Sequence, residues 1–445
     1  MNTHDHAMPL PETTGRYLVL LRENAVNSAI QTLRDTAGIS SVALASDFEN
    51  SALSAEQLQA SDPVFFDRLG VASVTLDPEQ LQSLSAVTDE SSPIALIEPE
   101  RIVYALNDIG ASSGQMPTSA SVSLEYLQGY RDAIDNLVDN VMPTNGNGVQ
   151  KMLRSSPTMQ AINETTATWG LQATNVVNSK YSGRGIRVVV LDTGLDLTHP
   201  DFVGRTIVSK SFIQNEEVQD KQGHGTHCIG TACGVLNPQV PPRYGIAYNA
   251  EIFVGKVLSN QGSGTDTGIL AGIEWAIANG CQIVSMSLGA RTFPGQQPSG
   301  LFEVAADRAL RNGTLIIAAA GNESNRPSRI NPVAHPANCP SIMAVAALDS
   351  QLQVARFSNG SINSNGGYVD ISAPGVDVYS SYLMPTRYER LNGTSMATPH
   401  VAGIAALLSE ATGARGRVLW NLLTQKARRL SLPGLDVGAG LVQAP

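Results

Sequence analysis

The sequence has few cysteines, little charge and no long apolar run. The four cysteines among 445 residues, at 228, 233, 281 and 339, contain no C-x-x-C pair, so a zinc ribbon is excluded. Cys228 and Cys233 fall five apart on one predicted helix, which does not favour a bridge. All four read as small buried apolar residues, with Cys228 placed four residues after His224, where a thiol could approach the imidazole. No stretch approaches the ~20 apolar residues of a membrane-spanning helix. The N-terminus, MNTHDHAMPLPETTGRY, shows no basic segment followed by an apolar one. The expectation is therefore a cytoplasmic protein, with export by a route lacking a visible signal as the alternative.

Charged residues make up 15% of the chain and are unevenly placed. Residues 1–110 carry 16 Asp and Glu against 5 Lys and Arg, a balance of −11, whereas the other 335 residues carry 23 against 24, a balance of +1. An acidic front attached to a near-neutral body argues for two units and against a nucleic-acid partner. The 42% hydrophobic content is enough, at this length, for a large core and a second small domain.

What is present begins with Leu391–Leu408. Ser395 lies among small residues, followed by Pro399 and then by Val401, Ile404, Ala405 and Leu408 at helical spacing. A buried helix is predicted to open at the serine, with the hydroxyl at the positive end of the dipole. Pro399 reads as lying near the helix start, where a missing N–H costs no bond. A serine hydroxyl needs a base within reach, and the base needs an orienting acid. Gly223-His224-Gly225-Thr226-His227 opens a second apolar helix with His224 in its first turn. Ile186–Asp192 is a β-branched run that predicts a buried parallel strand, with Asp192 at the end where open α/β sheets place ligands. The order Asp192, His224, Ser395 differs from that of chymotrypsin-like enzymes and α/β-hydrolases, and Ser395, in Gly393-Thr394-Ser395-Met396-Ala397, does not sit in a lipase-type G-x-S-x-G.

VVVLDTGLDLTHPDF, GHGTHCIGTA and GTSMATPHVAG resemble the three active-site motifs of the subtilisin-like serine proteases (subtilases, peptidase S8). LIIAAAGNES, residues 315–324, resembles a fourth. The resemblance covers about residues 165–445. It implies a doubly wound α/β fold, a mostly parallel sheet with helices on both faces, and hydrolysis of peptide bonds through an acyl-enzyme. Asp192, His224 and Ser395 would be the triad, and Asn322 the oxyanion donor. His227 is expected to be a packing residue, and His199 and His335 ordinary loop histidines. Gly262, Ser263 and Gly264, with Ser287, Leu288 and Gly289, would supply backbone edges for a substrate strand, and Ala334 the floor of the first pocket. Asp266 would line a pocket that takes a basic residue four places before the cut. Asp201 matches a family calcium ligand, but the loop 236–244 has few carboxylates and two adjacent prolines, so no cofactor is expected to be required.

Residues 16–106 show short strands and helices in the order βαββαβ, a ferredoxin-like pattern. Strands are predicted at 16–22, 39–44, 71–76, 94–97 and 101–106, and residues 45–66 read as an insertion. Beside a subtilase core this unit resembles the family's inhibitory prodomain, an intramolecular partner. Residues 107–164 form a linker carrying an amphipathic helix at 123–141, and a maturation cut is expected between about 107 and 160. The reading is a monomeric serine endopeptidase acting on protein or peptide, made as an autoprocessed zymogen. The alternative is a prodomain-locked scaffold serving as a binding module.

Overall fold

The computed structural model describes residues 12–106, apart from 24, 40–41, 49–52, 54, 61–62 and 89–90, and residues 163–445. The predicted helix at 123–141 and most of the linker lie outside the described residues.

The body is built on a seven-stranded sheet in which every pairing is parallel. The order across it is Ile371–Pro374, Met343–Leu348, Leu315–Ala319, Ile283–Met286, Arg187–Asp192, Glu251–Lys256, Ile207–Ser211. Helices cover both faces, and alternation along each strand explains why the strands read as unbroken apolar runs. Val188 and Val190 point into a cluster with Ile229 and Ala232 of the histidine helix (His224–Cys233) and Ile404 and Ala405 of the serine helix (Thr394–Thr412). Val189 and Leu191 point the other way, against Ile269 and Ile273 of the helix Asp266–Ala278 and Phe302 of the helix Gly300–Arg311. The outer strands Ile207–Ser211 and Ile371–Pro374 had no periodic signal strong enough to predict them.

The N-terminal module is a second sheet, ordered Ile94–Ala105, Thr13–Leu21, Val71–Val74, Val64–Phe66, Ala43–Leu44. Two sequence expectations are corrected here. One of the two antiparallel partners of Val71–Val74 is Val64–Phe66, inside the supposed insertion, while within the stretch 39–44 the residues Ala43–Leu44 form a strand in a parallel pairing. The two segments expected at 94–97 and 101–106 are one strand, Ile94–Ala105, that runs through Pro99. Proline cannot donate to a ladder, and the register against Thr13–Leu21 shifts between Thr13 and Tyr17, the residue opposite Pro99. From Ile102 on, the strand pairs antiparallel with Ser263–Thr265 on one side and, at Tyr104 and Ala105, with Leu288–Gly289 on the other, both from the body.

Candidate active site

Asp192 ends an interior strand of the body sheet, next to the central one, and His224 is the first residue of its helix, capped by Gly223 at φ 99°. The Gln222 side-chain carbonyl accepts the His224 N–H at 2.8 Å, satisfying one of the unpaired donors of that first turn. The imidazole Nδ1 meets Asp192 Oδ1 at 2.7 Å, and the Thr193 N–H donates to the same oxygen at 2.7 Å. Both side chains are buried. Burial alone would lower the His224 pKa, but the Asp192 charge beside it more than reverses this and raises it well above 6.5. His224 Nε2 is buried and has no hydrogen-bond partner among the described residues.

Ser395 is the second residue of its helix, in the first turn at the mouth, whereas Pro399 is inside the helix rather than near its start. The proline therefore does remove a bond, the one that the Ser395 carbonyl would have accepted. Two side chains fill the gap. Ser287 Oγ donates to that carbonyl at 2.8 Å and Cys228 Sγ at 3.6 Å. The Cys228 sulfur is also 4.0 Å from His224 Nδ1, and burial pushes its thiol pKa up. Asp192, His224 and Cys228 are the one such cluster among the described residues whose ligand-type atoms lie within 4.8 Å of one another. All four cysteines are free and buried.

Asn322 follows the strand Leu315–Ala319. Its Oδ1 accepts from the Thr394 N–H at 2.9 Å and Thr394 Oγ1 at 2.8 Å, which turns Nδ2 outward into the cleft. There Nδ2 donates at 2.7 Å to the carbonyl oxygen of Leu106, the last described residue of the N-terminal module. Ser395 Oγ donates to the same oxygen at 2.7 Å. Residues 102–106 lie in the cleft as an added strand. Ala105 N–H donates to Gly262 O at 2.8 Å and Leu106 N–H to Ser287 O at 3.3 Å, while Tyr104 and Val103 stand opposite Ser263 and Gly264. Leu288 and Gly289 pair with Ala105 and Tyr104 on the other side. Close approach requires glycine here. A methyl on Gly289 would fall 2.6 Å from His335 O, 3.3 Å from Leu106 Cδ1 and 3.5 Å from Ala334 Cβ.

Asp266, expected to face a basic side chain, does something else. Its Oδ1 is 3.0 Å from His335 Nε2, and its Oδ2 accepts the backbone N–H of Arg101 at 3.0 Å. The residue four places from the end of the added strand is apolar Val103, fully buried. His335 and His199 are likewise not loose loop residues, since both are buried. His199 Nε2 meets Arg387 O, and its Nδ1 accepts the Asp201 N–H. His227 Nε2 donates to Val378 O at 2.9 Å, and burial lowers its pKa to about 3, so it packs as a neutral ring.

The residues around Asp201 do not fit a calcium site. Its Oδ2 accepts from the Tyr244 and Tyr388 hydroxyls at 2.7 and 3.0 Å, and its Oδ1 from the Gln239 N–H at 3.0 Å. A hard cation wants several oxygens free to coordinate, and here both carboxylate oxygens already accept from donors.

An acid, an imidazole and a hydroxyl gathered at the carboxyl ends of parallel strands, with an amide donor aimed at a carbonyl, make up the arrangement of a serine-type hydrolase. The Subtilase family model matches residues 183–440, more than half the chain. Subtilisin DY of Bacillus licheniformis is 40% identical over 239 residues, 54% of this chain and 81% of the relative. The thermostable alkaline protease of Halalkalibacterium halodurans is 39% identical over 306 residues, 66% of this chain and 79% of the relative. Subtilisin Savinase of Lederbergia lenta is 40% identical over 281 residues, 62% of this chain and 96% of the relative. The chain belongs to the subtilase family and is a serine endopeptidase acting on protein or peptide. The same comparisons correct the cytoplasmic location expected from the N-terminus, because the matched relatives are subtilisins and an alkaline protease.

Proposed function

We propose that the enzyme is made as a monomeric zymogen whose N-terminal module fills and blocks the substrate cleft, and that Ser395 releases it by cutting after Leu106. The observation that carries this reading is the Leu106 carbonyl oxygen, held by both Asn322 Nδ2 and Ser395 Oγ at 2.7 Å.

The chemistry follows from what each group can donate or accept. As Oγ attacks the Leu106 carbonyl carbon, its proton passes to His224 Nε2, the one nitrogen of that ring without a partner. Asp192 at Nδ1 fixes the tautomer and stabilises the imidazolium that forms. Asn322 and the backbone N–H of Ser395 bind the oxyanion. His224 then gives the proton to the nitrogen of Asn107, the peptide bond breaks, and Leu106 remains esterified to Ser395. Water, deprotonated by His224, completes the hydrolysis. The proposed cut falls at the near edge of the linker, and it predicts apolar preferences at the residue before the bond (Leu106) and three residues further back (Val103). No metal is assigned a part in these steps.

The test is intact mass of the wild type and of Ser395→Ala, incubated side by side. The wild type should divide between residues 106 and 107, giving a new N-terminus at Asn107, while the variant stays at 47.0 kDa. If both stay whole and neither reacts with a serine-directed probe, the zymogen reading fails and the locked binding module takes its place. If the wild type divides elsewhere, the role given to Leu106 fails.

A further inference from the structure

The added strand makes more contacts with the body than its pairing with Ser263–Thr265 can account for. That ladder ends where Ile102 stands opposite Thr265, because the next body residue, Asp266, is already the first of a helix. Its carbonyl points along the helix axis and cannot serve as the next rung. The Asp266 side chain takes that place, with Oδ2 accepting the Arg101 N–H at 3.0 Å.

The carboxylate is held for this task. Oδ1 is 3.0 Å from His335 Nε2, and since a carboxylate only accepts, Nε2 must carry the hydrogen. The His335 ring is fixed in turn by edge-on packing against Phe302, with centroids 4.7 Å apart. Asp266 is 2% exposed and His335 1% exposed. A buried carboxylate of this kind holds one oxygen toward the cleft and one toward its support, so it is pre-organised for a donor that arrives with the substrate.

We propose that Asp266, positioned by His335, is a substrate-binding residue that accepts the backbone N–H of the residue six places before the scissile bond, so that the enzyme favours long, extended peptide substrates. This rests on the reading that residues 102–106 occupy the cleft as a substrate does. It concerns main chain rather than a side-chain pocket, and so predicts selection by length rather than by residue type. The neighbouring N–H supplies a built-in control, because Ile102 N–H points away from the body and donates to Glu12 O.

The experiment uses enzyme matured from the full chain and a peptide copying residues 100–108, with cleavage followed at the 106–107 bond. In one analogue an ester replaces the amide joining 100 to 101, removing the Arg101 N–H. In another an ester replaces the amide joining 101 to 102, removing the Ile102 N–H. The first should lose roughly ten-fold or more in kcat/KM, mainly through KM, as expected for one hydrogen bond to a charged acceptor. The second should lose little. In Asp266→Ala the two esters should become equivalent. Equal behaviour of the two esters with the wild type overturns the inference, and that comparison needs no variant to fold. A difference that persists in Asp266→Ala also overturns it. If the all-amide peptide shows no Ser395-dependent cleavage, the underlying reading fails and takes this inference with it. Cleavage with indifferent esters removes the inference alone.

Discussion

In the body, alternate residues of Arg187–Asp192 reach helices that the body itself supplies on each side. In the N-terminal module, Val19 and Leu21 of Thr13–Leu21 pack on the module's own helices Val26–Ala37 and Pro78–Ala86, with Leu33 and Leu84. Leu18 and Leu20 of the same strand, with Val64, Phe66 and Val71, face the other way into the cluster that holds Ile269, Ile273, Leu301 and Phe302 of the body. The module has one layer of helices and takes its second from its partner. The two body helices Asp266–Ala278 and Gly300–Arg311 thus serve two sheets at once. Polar contacts then fix the docking. Glu98 accepts from Ser299 Oγ and Gly300 N–H at the start of one helix, and Glu100 from Thr267 N–H at the start of the other. Carboxylates are favoured at those positive ends.

The sharpest way to separate the regions is to damage the body's chemistry and leave the docking alone. Asn322→Ala removes the amide that holds the Leu106 carbonyl. It should lower turnover of a peptide with leucine just before the scissile bond by about 10²–10³, with KM little changed, the magnitude being that measured for the equivalent residue of subtilisin itself. Steady-state kinetics decides this, and a rise in KM with kcat unchanged would assign Asn322 to ground-state binding instead.

Next in size is the borrowed layer. In Ser395→Ala, where the chain stays whole, adding Leu20→Ala should cost about 2–5 kcal/mol, the usual range for a buried leucine in a packed core. Denaturant unfolding measures it. An unchanged midpoint would mean that the module's second face carries no stability and that the comparison above is wrong.

How much of this could be read beforehand depended on whether the signal was local. The Asp192, His224, Asn322 and Ser395 segments each carry a turn, a cap or a strand end within about ten residues, and the five inner body strands announced themselves by burial on both faces. The same two-sided burial in Tyr17–Leu21 read simply as a strand, since nothing in YLVLL tells whose helices cover it. Val64–Phe66 was missed because three residues leave no period to detect. Pro399 reads as lying near a helix start although the helix opens at Thr394, because a proline five residues in falls just past the first-turn N–H groups that lack an acceptor, and the Ser287 and Cys228 side chains that compensate for it are distant in sequence. The pairing of Asp266 with His335 and of Asp201 with Tyr244 and Tyr388 joins residues 69, 43 and 187 positions apart, which no local pattern reports.

The docking also has a pH dependence of predictable sign. Glu274, buried in the helix Asp266–Ala278, accepts from Arg68 Nη1 at 3.0 Å and from the Arg68 and Leu69 N–H groups at 3.3 and 3.2 Å. Burial beneath the module raises its pKa from 4.5 to about 7 despite these donors. The docked state therefore holds a proton that the undocked or unfolded chain releases near 4.5. Its stability should fall as pH rises from about 5 to about 7 and level off above, by at most about 3 kcal/mol. Thermal unfolding of Ser395→Ala across that range should show the decline, and Glu274→Gln should flatten it. A rise in stability over the same window would show that the Arg68 partnership outweighs burial.

The smallest effects come from two arginines on one helix that look alike in sequence. Arg308 sends Nη1 to Leu69 O at 2.5 Å and Nη2 to Leu21 O at 3.0 Å, crossing from body to module. Arg311, three residues on, pairs with Glu23 at 2.9 Å and Asp307 at 3.0 Å, with a side chain 55% exposed. Arg308→Met leaves two carbonyls at a covered interface without donors and should cost about 1–3 kcal/mol in the Ser395→Ala chain. Arg311→Met should not measurably change it, because water and salt screen an exposed pair, and holding two long side chains in place costs entropy. The arginine that binds neutral carbonyls should thus matter more than the one that forms ion pairs. Unfolding midpoints of the two variants at low and high salt decide between them. An equal loss from both, fading together with salt, would mean that charge rather than buried hydrogen bonding holds the module in place.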